Sequence, residues 1–399
     1  MAKGSAQRLA VLEAPSLDAL GLTPGRFWVP APEEEVLTRR RLLLVPGLAS
    51  NILVDAIAAE YNKLTSQAVA DTEVPYQPVS TLRSGSQSMP DTEIRSRLLD
   101  SVSGADVFVC TYLHHPGSGF SVSDKLQDLL FLGRAIKSHG AARVFAVTPK
   151  LANDRQDKES ELDSANGDQP FGNYREGLGA KITAEQIRII GLYDGVICLH
   201  PHSDAAKGFY EPMLMDSLSP IPVLGSSFSQ YTGNASVINV AVDEGAIKFA
   251  KRVSGMLNWT TALAFKTRLT PSTVQHGEII GDFNGKSIAM MFDDIMATGG
   301  SIESLVDLLR DNKGLKTFYI AISHPILPTP DAFERLLRLH EKGVQTVYFT
   351  DSVPQPRLLQ PPFSEFVQIV PLAGYFARMI NARYNHQPVT GTRGVQHHS

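Results

Sequence analysis

From Arg41 onward, short uninterrupted apolar runs alternate with stretches whose apolar residues recur at helical spacing. The runs are Arg41–Gly47, Asp106–Tyr112, Ala142–Thr148, Val196–Leu199, Val237–Val242, Thr261–Arg268, Ser287–Phe292, Thr317–Ile322 and Val344–Asp351. Their lengths and lack of polar alternation predict strands buried on both faces. Between them, helices are predicted over Asn51–Tyr61, over Asp124–Ser138, and from Lys181 to about Gly191. Two more carry Ile247, Ala250 and Val253 in one case and Ile302, Leu305, Leu308 and Leu309 in the other, and Leu372–Tyr384 makes a last helix. This alternation predicts an α/β chain of doubly wound parallel sheets, in which ligands bind outside the carboxyl ends of the strands. Each strand end is therefore a candidate site.

The pattern divides the chain. Residues 1–40, with Pro15, Pro24, Pro30, Pro32 and the acidic cluster Glu33, Glu34 and Glu35, read as an N-terminal extension. Residues 41–219 and 220–371 read as two α/β domains, with the helix at 372–384 returning to the first of them and residues 385–399 as a tail.

Composition narrows the function classes. With 399 residues, 43% of them hydrophobic and 20% charged, the chain can bury two full cores. A formal net charge of -4 supplies no global basic field and argues against nucleic acid as the partner. Cys110 and Cys198 lie far apart inside apolar runs, so neither a disulfide framework nor a four-cysteine zinc site is read, and a reducing compartment fits. No apolar run is long enough to span a membrane, and the N-terminus lacks a secretory pattern; the expectation is a cytoplasmic enzyme.

The chemistry concentrates at the end of the Ser287–Phe292 strand. Asp293 and Asp294 close it, Ala297-Thr298-Gly299-Gly300-Ser301 form a turn of small and hydroxyl residues, and a helix follows. Backbone N–H groups in such a turn, backed by a positive helix N-terminus, suit a phosphate. The neighbouring carboxylates suit a diol or bound Mg²⁺. A sugar phosphate meets both demands.

Phe292–Ser301, FDDIMATGGS, closely resembles the phosphoribosyl diphosphate (PRPP) loop of the type I phosphoribosyltransferase fold. The resemblance implies that Asp293 and Asp294 hold the ribose 2- and 3-hydroxyls and that Ala297, Thr298, Gly299, Gly300 and Ser301 hold the 5-phosphate. Further segments, in the same order from Arg41 to Arg383, resemble the ribose-phosphate diphosphokinases (PRPP synthetases). That family implies two phosphoribosyltransferase-type domains, ATP and ribose 5-phosphate as substrates, Mg²⁺ as cofactor and a homo-oligomer.

Within the resemblance, Arg155-Gln156-Asp157 matches an ATP loop. Met89-Pro90-Asp91-Thr92-Glu93-Ile94 resembles the Phe-Ser-Asp-Gly-Glu-Val loop that reaches the adenine held by a neighbouring subunit, so Asp91 and Glu93 are ATP-side residues. Met89 replaces the family aromatic, which leaves the nucleotide preference open, and Thr92 replaces its Gly. His202 falls on the histidine beside Mg-ATP, and His200 on an aspartate. As residues alone, His200 and His202 share one face of an extended strand, so a zinc pair is conceivable, but no third ligand is evident.

Asp243, with Gly245 behind it, matches a residue near Mg²⁺ and ribose, and Ala246 stands where the family has a second Gly. Metal contacts are thereby implied for His202 and Asp243. Lys266 and Arg268 match the two cations that act on the transferring diphosphate, and the segment after them, Leu269–Phe283, matches a mobile loop. Two rival readings remain. Ala297, where the synthetases usually have Asp, favours a PRPP-consuming phosphoribosyltransferase; with Met89 and Ala246 it also leaves open a non-catalytic protein that regulates a synthetase.

Overall fold

The computed structural model describes residues 40–70, 78–158, 177–268 and 274–387, without the side chains of 266–268 and 274–276. The N-terminal extension up to residue 39, most of the polar loop between Lys158 and Gly179, and the tail from residue 388 lie outside the described residues.

The first half contains β1 (Leu42–Pro46), α1 (Asn51–Val69), β2 (Ser80–Thr81), β3 (Gln87–Ser88), β4 (Ile94–Arg95), β5 (Asp106–Cys110), α2 (Val122–Ser138), β6 (Arg143–Thr148), α3 (Gly179–Glu185), β7 (Gly195–Leu199), α4 (Ala206–Tyr210) and β8 (Leu214–Leu218). Six of these strands form a sheet in the order β2-β1-β5-β6-β7-β8. Every pairing in it is parallel. β5 and β7 are buried at every position, because helices cover both faces. A capping box starts α2: Asp124 N donates to Ser121 Oγ at 3.1 Å, and Ser121 N donates back to Asp124 Oδ2 at 2.8 Å.

The second half contains α5 (Ile221–Ser226), β9 (Val237–Ala241), α6 (Ile247–Leu257), β10 (Thr260–Arg268), β11 (Val274–Ile280), β12 (Ile288–Met296), α7 (Gly300–Lys313), β13 (Thr317–Pro325), α8 (Pro330–Glu341), β14 (Val344–Thr350), β15 (Val367–Val370) and α9 (Ala373–Tyr384). Its seven-stranded sheet runs β11-β10-β9-β12-β13-β14-β15. All pairs are parallel except β10 with β11. The chain is thus two doubly wound α/β units in tandem.

Three readings change. Val274–Ile280 belongs to the segment expected to be a mobile loop, yet it is an edge strand antiparallel to β10. Its Val, Ile and Ile suit a pleated surface, and the short connection permits the reversal. The strand expected to stop at Phe292 continues to Met296, because its ladder with β13 carries on through Asp293↔Ile322 and Ile295↔His324. The short strands, α5, α8 and β15 are additions that the apolar pattern does not reveal.

α9 leaves the second sheet and packs along α1 of the first. Asn381 Nδ2 donates to Tyr61 OH at 3.1 Å, Arg383 forks onto Asp216 of β8, and Arg143 Nη1 donates to the Arg383 carbonyl at 3.2 Å. One apolar core runs from α1 and α9 through Leu199 and Leu218 to Phe228, Phe292 and Tyr348, so it joins the two sheets. Phe228 sits at its centre, edge-on to Tyr348 at 4.8 Å and to Phe292 at 5.2 Å between ring centroids.

Candidate active site

The Ala297–Ser301 turn, the candidate anion site, is built by β12 and α7. Gly299 has φ 76°, a left-handed conformation, and a Cβ placed there would lie 2.5 Å from Met296 Cε. Only glycine fits both conditions. α7 then begins at Gly300 with no side-chain cap, so its first backbone N–H groups, beside Ala297, Thr298 and Ser301, are left for a ligand or water. Arg335 of α8 fixes the turn from outside: Nη1 donates to the Thr298 carbonyl at 2.8 Å, while Nε pairs with Glu303 Oε2 at 2.8 Å.

The two aspartates have different surroundings. Asp294 Oδ2 lies 2.6 Å from His202 Nδ1, which follows β7 of the first unit, so this pair bridges the two units. Burial opposes the Asp294 charge, but the hydrogen bond from His202 and the positive charge His202 can carry hold its carboxyl well below the usual range. The same hydrogen bond raises the His202 imidazole pKa. Asp293 behaves oppositely: burial first, then the charges of Asp294 and Asp243, push its carboxyl well above the usual range. Its Oδ1 accepts the Asp294 N–H at 2.9 Å. Asp243 Oδ1 accepts the Ala246 N–H at 3.0 Å and so holds the turn into α6.

His202 and Asp243, the implied metal contacts, thus border one region but do not meet as a preformed ligand set. Among the described residues no three His, Cys, Asp or Glu side chains converge as metal ligands. His200 and His202 do not act as a same-face pair either. His200 leaves β7 with φ 38°, which breaks the extended alternation, and its Nδ1 meets Ser323 Oγ at 2.7 Å. Burial lowers the His200 pKa to about 4, so its imidazole is neutral.

In the first unit, Arg155, Gln156 and Asp157 follow β6, with Arg155 and Gln156 exposed. Gln156 N donates to the Asn153 carbonyl at 2.9 Å, and the Gln156 carbonyl accepts from Ala180 N at 3.1 Å, which ties the loop to α3. Next to them, buried Asp154 is ion-paired with buried Lys150 and accepts the His202 N–H at 3.3 Å. The Arg155 loop and the His202 turn therefore share one anchor.

Asp91 and Glu93 sit on an exposed hairpin made by β3 and β4. Between them Thr92 has φ 72°, the conformation a glycine would adopt more easily, so Thr92 stands where the fold requires a left-handed residue. The hairpin's hydrogen bonds are local: Met89 N to the Glu93 carbonyl at 2.8 Å and Glu93 N to Asp91 Oδ1 at 3.2 Å. Lys266 and Arg268 lie on the last part of β10, opposite His276 and Val274, and their side chains lie outside the described residues.

Sequence reasoning missed His200, Ser323, His324 and Ser352 as a group, and the anchor role of Asp154 and Lys150. Ser323-His324-Pro325 resembles a family segment, but nothing in one sequence marks His324 as a neighbour of His200.

The architecture defines a class: two phosphoribosyltransferase-type units that meet where the exits of β7 and of β12 and β13 touch. Comparison with known proteins agrees. The N-terminal domain of ribose phosphate pyrophosphokinase matches residues 44–166. The ribose-phosphate pyrophosphokinase of Oceanobacillus iheyensis is 30% identical over 266 residues, which are 67% of this chain and 76% of that protein. That of Aquifex aeolicus is 29% identical over 329 residues, 82% of this chain and 96% of that protein. The crystal structure of phosphoribosylpyrophosphate synthetase from Mycobacterium smegmatis superposes with a TM-score of 0.69 at 24% identity, covering 87% of this chain and 100% of that one, and has the same fold. The chain belongs to the ribose-phosphate pyrophosphokinase family.

Proposed function

We propose that this protein is a ribose-phosphate diphosphokinase, which transfers the diphosphate of ATP to the 1-hydroxyl of ribose 5-phosphate and releases PRPP and AMP. The observation that carries the reading is the 2.6 Å contact between His202, on the nucleotide-side unit, and Asp294, beside the uncapped α7 turn on the sugar-phosphate side. Two half-sites at facing strand ends suit a reaction that joins a nucleotide to a sugar phosphate.

In this reading Arg155, Gln156, Asp157 and His202 bind ATP, with Asp91 and Glu93 serving a neighbouring subunit of a homo-oligomer. Asp243, Asp293 and Asp294 hold the ribose, and the Ala297–Ser301 turn holds the 5-phosphate. Attack of the 1-hydroxyl on the β-phosphorus gathers charge on phosphoryl oxygens, which Lys266 and Arg268 stabilise as fixed cations. The donor chemistry also suits Mg²⁺: Asp243 and Asp294 crowd the Asp293 carboxyl with negative charge, and Mg²⁺ takes few protein carboxylates beside substrate phosphates. Asp243 and His202 would flank it, and when bound it neutralises charge on the diphosphate. The two free, buried thiols Cys110 and Cys198 fit a reducing cytoplasmic setting. Among the described residues no helix is long and apolar enough to cross a membrane.

Ala297 favours a second reading, a transferase that consumes PRPP. One incubation separates them. Purified protein with ATP, Mg²⁺ and ribose 5-phosphate should form AMP and PRPP together; AMP formation that ignores ribose 5-phosphate, or consumption of supplied PRPP with a base, would replace the synthetase reading.

A further inference from the structure

His200 sits in a backbone conformation that a non-glycine residue adopts only where its surroundings over-determine it, with φ 38° at the exit of β7. Three groups hold it. Its N–H donates to the Leu218 carbonyl of β8 at 2.9 Å, its Nδ1 meets Ser323 Oγ at 2.7 Å, and its carbonyl lies 3.0 Å from His324 Nε2. The last two partners come from β13 of the other unit. Two residues further along the same turn, His202 reaches Asp294, whose strand β12 is paired with β13 at Ile295↔His324. A single strand of the sugar-side unit therefore grips the turn that delivers the nucleotide-side histidine.

The protons on His324 follow from its partners. A carbonyl only accepts, so Nε2 carries the hydrogen that bonds to the His200 oxygen. The ring is fully buried, which disfavours imidazolium, so Nδ1 is the acceptor and Ser352 Oγ, at 2.8 Å, donates to it. The Ser323 carbonyl remains satisfied by the Thr350 hydroxyl. The His200 carbonyl thus sets the tautomer, and the Ser352 hydroxyl, which also lies 2.7 Å from the Ser323 carbonyl, turns its proton to Nδ1 to match it.

We infer that His324 is a positioning residue that, with Ser323, clasps the left-handed turn at His200 and thereby aims His202 at Asp294 across the boundary between the units. The inference deepens the site reading above and rests on it for its kinetic consequences. It assigns a residue of the sugar-side unit to the nucleotide's affinity. His324→Ala should then reproduce the profile of His202→Ala, raising KM for ATP by about tenfold while KM for ribose 5-phosphate stays within about twofold. The double variant His202→Ala/His324→Ala should be no worse than His202→Ala alone, because both changes remove one function. His324→Gln, whose amide N–H can still donate to the His200 carbonyl, should recover most of the loss.

A structural role alone would weaken both substrates alike and give additive losses, and either result overturns the inference. If His324→Ala does not fold, Ser352→Ala takes its place in the same cycle with the same criterion. A readout independent of turnover is the ¹⁵N shift of His202 Nδ1 in the ligand-free protein. It should move in His324→Ala and return in His324→Gln, and an unmoved signal overturns the clasp. Wild-type protein that makes no AMP would end the synthetase reading, leaving the clasp to be judged by this signal.

Discussion

Two adjacent glycines of the anion turn should respond to alanine in opposite ways. At Gly299, φ 76° places an L-residue in the left-handed region, which costs roughly 1–2 kcal/mol. The new Cβ would also lie 2.5 Å from Met296 Cε. That methyl is the end of a flexible side chain, but Met296 is only 1% exposed, so moving it overpacks a core, a fault worth about 1–3 kcal/mol. The total is about 2–4 kcal/mol, allowing for some swing of the methionine, and it corresponds to a melting point lower by roughly 4–16 °C for a domain of this size.

Gly300 differs. It is the first residue of α7, without a positive φ, and its Cβ would meet Arg335 Nη1 at 3.1 Å, a contact that a shift of a few tenths of an ångström in that guanidinium relieves while its bond to the Thr298 carbonyl is kept. A helical Gly→Ala change contributes about 0.5–1 kcal/mol in the favourable direction and offsets that contact. Gly300→Ala should therefore melt close to wild type. Calorimetric melting of both variants gives the stability half of the test. For the functional half, displaced amides at Gly299 should lose at least one charge-assisted hydrogen bond to the 5-phosphate, worth about 1.5–3 kcal/mol or roughly 10- to 100-fold in KM for ribose 5-phosphate, with ATP little affected. If Gly299→Ala melts with Gly300→Ala and binds the sugar phosphate normally, the steric reasoning and the placement of the phosphate both fail.

Asp293→Asn combined with Asp294→Asn, whose amide oxygen at 294 can still accept from His202, should raise KM for ribose 5-phosphate far more than KM for ATP in steady-state assays, and equal losses would detach these carboxylates from the sugar. Lys266→Ala should lower kcat by about 100- to 1,000-fold with little change in either affinity by calorimetry, as expected for a donor that acts mainly on transition-state charge; a pure affinity loss would contradict that role. Arg383→Ala should cost about 1–3 kcal/mol by leaving the mostly buried Asp216 carboxylate without its fork, measured by urea unfolding, and a shift under about 0.5 kcal/mol would show that α9 is held by its apolar face alone.

The sequence by itself determined the α/β class, most strand positions and the glycine turn between β12 and α7. These rest on short-range physics: a both-faces-buried strand has to be a local apolar run, and a tight turn into a helix start needs its glycines within a few residues. It also placed Arg155, His202 and Asp243 at strand exits, because in parallel sheets those exits follow directly from the runs. Thr92 shows where local reading ended, since its left-handed φ comes from a hairpin closed by backbone hydrogen bonds. Only the tertiary structure decided that β12 runs through its aspartates, that Val274–Ile280 pairs with β10, and that α9, expected to return to the first unit, does so along α1. Only it gave neighbouring aspartates opposite charge preferences, through a histidine and a third carboxylate distant along the chain. The His200, His202, Asp294, Ser323 and His324 contacts join residues about a hundred positions apart, and no periodicity or spacing in one chain encodes a contact that exists because two sheets meet at their strand ends.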